Sequence, residues 1–176
     1  MTALESAAAA CLIAFAAVAL VDGIVLHLWR ERLHQRPGAR FEHALHSVRA
    51  VLFPIILVSL FAGATSLAVA LIIVAVDQVV EIWDMAVERQ SRSFSGGLRS
   101  FEYVVHGGAI TLRAAAIALL LAARSLGPTP ATAAGWWTLP NLVDLLLPGA
   151  ILAAVVHVTL LVMPRPFGRA RAGLHA

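Results

Sequence analysis

Side chains of the kinds that bind metal ions or move protons recur in this chain inside stretches otherwise apolar enough to cross a bilayer. Seven of the ten carboxylates, Asp22, Glu42, Asp77, Glu81, Asp84, Glu88 and Glu102, lie there with His27, His46, His106, Arg49 and Arg113. The pattern is duplicated. Val21-Asp22-Gly23-Ile24-Val25 is followed by Phe41-Glu42-His43-Ala44-Leu45-His46, and Val76-Asp77-Gln78-Val79-Val80 by Phe101-Glu102-Tyr103-Val104-Val105-His106. Asp22 thus corresponds to Asp77, and Glu42/His46 to Glu102/His106. A carboxylate in hydrocarbon costs several kcal/mol unless it is neutralised, paired or bound to metal. Carrying that cost twice at equivalent places points to one shared site.

Spacing on helices supports convergence. Asp77, Glu81, Asp84 and Glu88 fall at i, i+4, i+7 and i+11, within a helical stripe about 60° wide. Glu42, His46 and Arg49 form a second stripe, and Glu102, His106 and Arg113 a third. Asp22 and His27 stand about 140° apart on an α-helix, which makes His27 the weaker ligand. With all seven carboxylates ionised, Arg49 and Arg113 neutralise two and leave an excess of about five negative charges at low dielectric. Two divalent cations supply four positive charges. A carboxylate and imidazole set without thiolate suits iron, manganese or zinc, and its richness in acids favours iron or manganese. The expected metal ligands are therefore Asp22, Glu42, His46, Asp77, Glu81, Asp84, Glu102 and His106, with His27 as a weaker addition. Arg49 and Arg113 are expected to orient the ligand carboxylates from outside.

The elements that must hold these residues are membrane helices. The chain has 176 residues, 60% hydrophobic and 13% charged, with a mean hydropathy of +0.86. That is far more apolar than a soluble domain. Apolar spans of about twenty residues, each long enough for roughly 30 Å of hydrocarbon, fall at about 7–29, 42–62, 66–88, 102–123 and 142–163. The expectation is an all-α integral membrane bundle of about five transmembrane helices in a single domain. Repeat one covers about 7–62 and repeat two about 66–123, so four helices form a duplicated two-helix unit around a buried polar site. One peripheral helix, about 142–163, follows a Gly/Pro/Thr-rich connector from Gly127 to Pro140.

All 13 basic residues are arginine, and most cluster in the linker from Arg30 to Arg40, the stretch from Arg89 to Arg99, and the tail with Arg165, Arg169 and Arg171. They read as topology signals rather than a nucleic-acid face. The N-terminus is then outside and the C-terminus cytoplasmic, with a bacterial inner membrane as the expected location. Trp29 and Trp136/Trp137 fit interfacial belts, while Trp83 lies among the acids. The lone Cys11 has no disulfide partner, and the first apolar stretch has no basic lead-in of the kind a cleaved signal needs.

The function expected from this pattern is a membrane metalloprotein with a dinuclear carboxylate/histidine site in the cytoplasmic leaflet. A di-iron oxidoreductase acting on a lipidic or membrane-dissolved substrate, with an electron donor, is favoured. The construction is similar in logic to the soluble ferritin-like di-iron carboxylate bundles, although the spacing here is Glu-x-x-x-His instead of Glu-x-x-His. Two alternatives use the same residues. One is a divalent-cation or proton-coupled transporter. The other is a zinc-dependent hydrolase, with Glu81 or Asp84 as base, or a non-catalytic metal accessory protein. A carboxylate–arginine–histidine network that only holds the bundle is the structural alternative. His34 and His43 read as boundary residues, His157 and Asp144 as packing residues, and Glu88 equally as a ligand or as a partner of Arg89 or Arg92. A homo-oligomer is compatible with all of these.

Overall fold

The computed structural model describes residues 1–93, 97, 99–126 and 138–163. The connector after Leu126, with Trp136 and Trp137, and the tail with Arg165, Arg169 and Arg171 lie outside them. The described residues form five long helices and no strand: α1 (Ala3–Leu20), α2 (Arg40–Ile56), α3 (Leu67–Ser91), α4 (Ser100–Ser125) and α5 (Leu139–Val162). Two of these continue in wider π-helical turns, α1 through Val21–Arg30 and α2 through Leu57–Phe61.

Local sequence sets the helix starts. Thr2 and Glu5 make a reciprocal capping box at the head of α1, with the Glu5 amide donating to Thr2 Oγ1 at 3.1 Å and the Thr2 amide donating to Glu5 Oε2 at 2.7 Å. Ser66 and Thr138 cap α3 and α5 one way only, their hydroxyls accepting from the Val69 and Asn141 amides. Pro54 lies inside α2 just ahead of its π-helical turn, where a missing amide and a bulky ring disturb α-helical bonding. The glycine at position 63, with φ of +72°, takes the left-handed turn that ends this segment.

The helices pair as the duplication requires. α1 packs along α4, and α2 packs along α3; exchanging the two copies turns one pair into the other. α5, which has no counterpart in the repeat, packs on the flank of α2 and touches α1. Four segments, those containing α1, α2, α4 and α5, are long and apolar enough to cross a membrane. α3 is as long, at 25 residues, but four acids, Asp77, Glu81, Asp84 and Glu88, interrupt its apolar stretch. Its exterior supplies the missing signal: Ile72, Val76, Val79, Ile82, Trp83 and Met85 are exposed, while Asp77, Glu81, Asp84 and Glu88 are buried. A helix with its apolar side outward and its acids inward is built for lipid. Trp83 belongs to this outer side, where its ring meets Phe41 at 5.5 Å, so it does not face the polar site.

The interior divides along its length. One end is apolar, formed by Leu12 and Phe15 of α1, Leu57 and Leu60 after α2, Leu120 of α4 and Leu142 of α5, among others. The other end, toward the α1–α2 and α3–α4 connections, holds the ionisable residues.

Candidate metal centre

Three levels of polar side chains follow one another along α3. Asp77 and Arg92 bound them, 15 residues apart, which is about 22 Å of helix. At the level nearest the apolar end, Arg113 of α4 donates to Asp77 and to Glu81, and Arg49 of α2 donates to Glu81. Gln78 joins them, donating to Glu81 at 3.0 Å and accepting from Arg113 at 3.0 Å. Two carboxylates and two guanidinium groups therefore neutralise each other here. Asp77 and Glu81 are held by arginines, and Arg49 Nη1 also stands 3.8 Å from Asp84 Oδ2. Arg113→Ala is expected to lower the stability of the detergent-solubilised protein by about 3–5 kcal/mol, because it leaves buried carboxylates short of a partner. Its metal content is expected to stay at the wild-type value. A melting curve combined with elemental analysis checks both.

At the opposite level stands a residue that the sequence places among loop arginines. Arg92, directly after α3, is 1% exposed. Its Nη2 donates to Glu42 Oε1 at 2.8 Å, its Nε to the same oxygen at 3.0 Å, and its Nη1 to Glu102 Oε2 at 3.1 Å. Ser91 Oγ also donates to Glu42. The duplication itself explains the arrangement: Glu42 and Glu102 are equivalent residues that converge, and two like charges need a cation between them. The planar fork of a guanidinium serves both at once. Arg92 is thus an interior cation and not a topology signal.

Between these two levels lie the groups with metal-sized spacing. Asp22, His27 and His46 each offer a ligand atom within 4.8 Å of the others, and so do His27, Glu88 and His106. The His27 ring lies 3.9 Å from that of His46 and 5.5 Å from that of His106, centroid to centroid. Carboxylates surround the three imidazoles. His106 Nε2 is 3.0 Å from Asp22 Oδ1, His106 Nδ1 is 3.4 Å from Glu88 Oε1, and His46 Nε2 is 3.0 Å from Asp84 Oδ2. Each repeat histidine therefore meets a carboxylate of the other copy. The partner of His46 is Asp84 and not Asp77, the repeat counterpart of Asp22, because Arg113 and Arg49 already engage Asp77.

His27 is central to both groups although an α-helical reading sets it apart from Asp22. The reason is the π-helical stretch Val21–Arg30. Bonding from i to i+5 stacks residues five apart, so Asp22 and His27 share a face. An α-helix there would turn one of them toward lipid, where an ionisable group is costly. His27 has 0% exposure, and neither of its ring nitrogens has a hydrogen-bond partner among the described residues. The nearest carboxylate oxygens, of Asp22 and Glu42, stand 3.7 and 3.8 Å away. Asp84 Oδ1 likewise has no hydrogen-bond partner there. A buried polar atom left unsatisfied costs about 1–3 kcal/mol, and a cation between these atoms would satisfy several of them together.

The structure also draws in two histidines that the sequence assigns to a boundary and to packing. His43 is 1% exposed and His157 3% exposed, and their rings stack at 5.5 Å. His43 and Ser47 share the α2 face that meets α5, where Ser47 Oγ donates to the His157 carbonyl at 3.4 Å. No periodicity within α2 distinguishes this second face, since it exists only because α5 docks there.

The seven carboxylates are thus accompanied by three buried or half-buried arginines, Arg49, Arg92 and Arg113. If all were ionised, an excess of four negative charges would remain, the charge of two divalent cations. The four apolar spans and the buried His/Asp/Glu groups are together compatible with a metal site inside a membrane bundle. The chain matches no known protein family, no curated protein and no solved structure.

Proposed function

We propose that this protein is a membrane metalloenzyme holding two divalent metal ions at the middle polar level, with iron favoured over manganese and zinc. The observation that carries the reading is His27: a fully buried imidazole, unsatisfied at both nitrogens, shared by two carboxylate/histidine groups. Asp22 and His46 would hold one ion with His27, and Glu88 and His106 the other, with Asp84 beside His46. Glu42 and Glu102, clamped by Arg92, and Asp77 and Glu81, clamped by Arg49 and Arg113, would set the positions of the helices that carry the ligands. This narrows the sequence expectation for those four carboxylates from ligands to supports, and adds Glu88.

A redox-active metal pair bound by carboxylates and imidazoles supplies electron transfer and dioxygen chemistry. We assign the protein an oxidation of a membrane-dissolved substrate, with dioxygen as oxidant and a separate electron donor. By the positive-inside rule, the arginine-rich α1–α2 linker would put the site in the cytoplasmic leaflet. The apolar half of the core argues against a transport pathway. Leu12, Phe15, Leu57, Leu60 and Leu120 fill it, and the buried Ser59 among them gives its hydroxyl to the Ile55 carbonyl of its own helix, which is a poor foothold for an ion.

Elemental analysis of the detergent-purified protein, with its absorbance recorded in air and after reduction, tests the proposal. About two irons per chain and a band that bleaches on reduction are expected. Two zincs per chain would redirect the assignment to hydrolysis. Protein that binds neither iron, manganese nor zinc would overturn the metal centre and leave the network as a purely structural device.

A further inference from the structure

A cavity of about 450 Å³ lies between α1, α2 and α5. Its size is that of a site for a small organic ligand. The walls are apolar and mix small residues such as Ala16, Ala17, Gly149 and Ala153 with larger ones such as Phe15 and Phe53, while the floor is made by Asp22, His46, Arg49 and His157. Among the lining residues Ile13, Leu20 and Leu145 are exposed on the outside of the bundle, whereas Asp22, His46 and His157 are buried. The cavity therefore opens sideways, at a level where the helices are surrounded by lipid, and ends on two members of the candidate metal centre.

We propose that this cavity binds a single-chain lipid drawn laterally from the bilayer, its chain between α1 and α5 and its oxygen-bearing end on the floor beside Asp22, His46 and His157. The proposal rests on the metal-centre reading for the role of Asp22 and His46. Three features select the occupant. The mouth meets hydrocarbon, so entry through it suits an apolar chain. Between larger wall residues such as Phe15, Phe53 and Leu146, the small Ala16, Ala17, Gly149 and Ala153 leave a slot between α1 and α5. The two charged groups of the floor already have partners, Asp22 in His106 and Arg49 in Glu81, which favours a neutral alcohol or aldehyde over a carboxylate-headed lipid.

The same geometry gives α5 a purpose that the repeat cannot. The duplicated helices provide the ligands, and α5 provides one wall of the cavity and His157 on its floor. Gly23 makes the approach possible: a Cβ there would stand 3.3 Å from His157 Nε2, tighter than ordinary contact. Gly149 is different, since a Cβ at that position meets no atom within 4 Å. A larger side chain at 149 therefore grows into the cavity instead of into a neighbour, and replacing a helical glycine also favours the helix.

The test uses the full chain in lipid nanodiscs and a long-chain alcohol carrying a photoactivatable diazirine in its chain. After irradiation, peptide mass mapping is expected to find label on α1 around Ala16–Leu20 and on α5 around Gly149–Ala153. Gly149→Phe should reduce that labelling at least tenfold, with helical content and metal content as in the wild type; Ala153→Leu provides a second, milder filling variant. The fatty acid of equal length should label less than the alcohol. Label spread equally over the outer face of α3 at Val79 and Ile82, or labelling unchanged in both filling variants, would overturn the cavity assignment. Repeating the labelling on metal-free protein separates the two readings. Cavity labelling in protein that binds no metal sinks the metal centre alone, and metal bound without cavity labelling sinks the lipid site alone.

Discussion

Replacing His27 by alanine is expected to abolish binding at both metal positions, because this one imidazole belongs to both groups of converging ligands. Even groups that only orient a metal ligand change affinity by roughly 10–100-fold, so loss of a shared ligand should exceed about 100-fold. The variant should still insert and fold. His27 has unsatisfied nitrogens in a fully buried position, and removing them relieves a cost instead of adding one. Two measurements follow from this. Metal per chain should fall to near zero, and the rise in melting temperature that excess metal gives the wild type through linkage should disappear. His34→Ala, a change outside both groups, should leave both readouts intact. A His27→Ala protein that retains wild-type metal content would sink the centre as drawn.

Arg92 is expected to be the most sensitive position for stability. Its guanidinium is the cation between Glu42 and Glu102, and Arg92→Ala would leave both carboxylates buried without it. Breaking a buried ion pair from one side costs about 3–5 kcal/mol, enough to remove much of the folded population of a marginally stable domain. Arg92→Lys should recover only part of the loss, since an ammonium cannot reach both carboxylates with a planar fork. Removing the charges together, as in the triple variant R92M/E42Q/E102Q, should restore more stability than the single change allows. Arg89→Ala, at an exposed position, should stay within about 0.5 kcal/mol of the wild type. Melting curves in detergent at fixed pH decide the matter. An Arg92→Ala protein that melts like the wild type would return this residue to the loop role that its neighbours suggest.

These two predictions differ in where their evidence arises. Arg92 looks from the sequence like one more basic residue in a cytoplasmic linker, because Arg89 and Arg99 flank it. Nothing in one dimension distinguishes an arginine that faces solvent from one that turns back into the bundle. His27 falls off the stripe at an α-helical period, and the π-helical stretch changes which residues share a face. His157 and His43 appear incidental because their partners lie on each other's helices.

Other features were open to inspection of the chain alone. Hydropathy and length determined the membrane helices, since a run of about twenty apolar residues has few other stable fates. The repeat of Asp22 with Asp77, and of Glu42/His46 with Glu102/His106, located the polar end of a bundle, because the cost of burial marks such residues wherever they occur. The stripe on α3 was legible for the same reason, as four acids at α-helical spacing must face one way. What the tertiary structure alone decided was the division of labour among them. Which carboxylates hydrogen-bond to an arginine, and which stand farther off, as Asp84 does at 3.8 Å from Arg49 and Glu88 at 3.9 Å from Arg92, depends on a packing that the sequence does not contain. Arg49, Arg92 and Arg113 settle that division by reaching across from one helix to another. The long side chain of an arginine lets it act far from its own position in the chain, and so its partner could be seen only after the helices were packed.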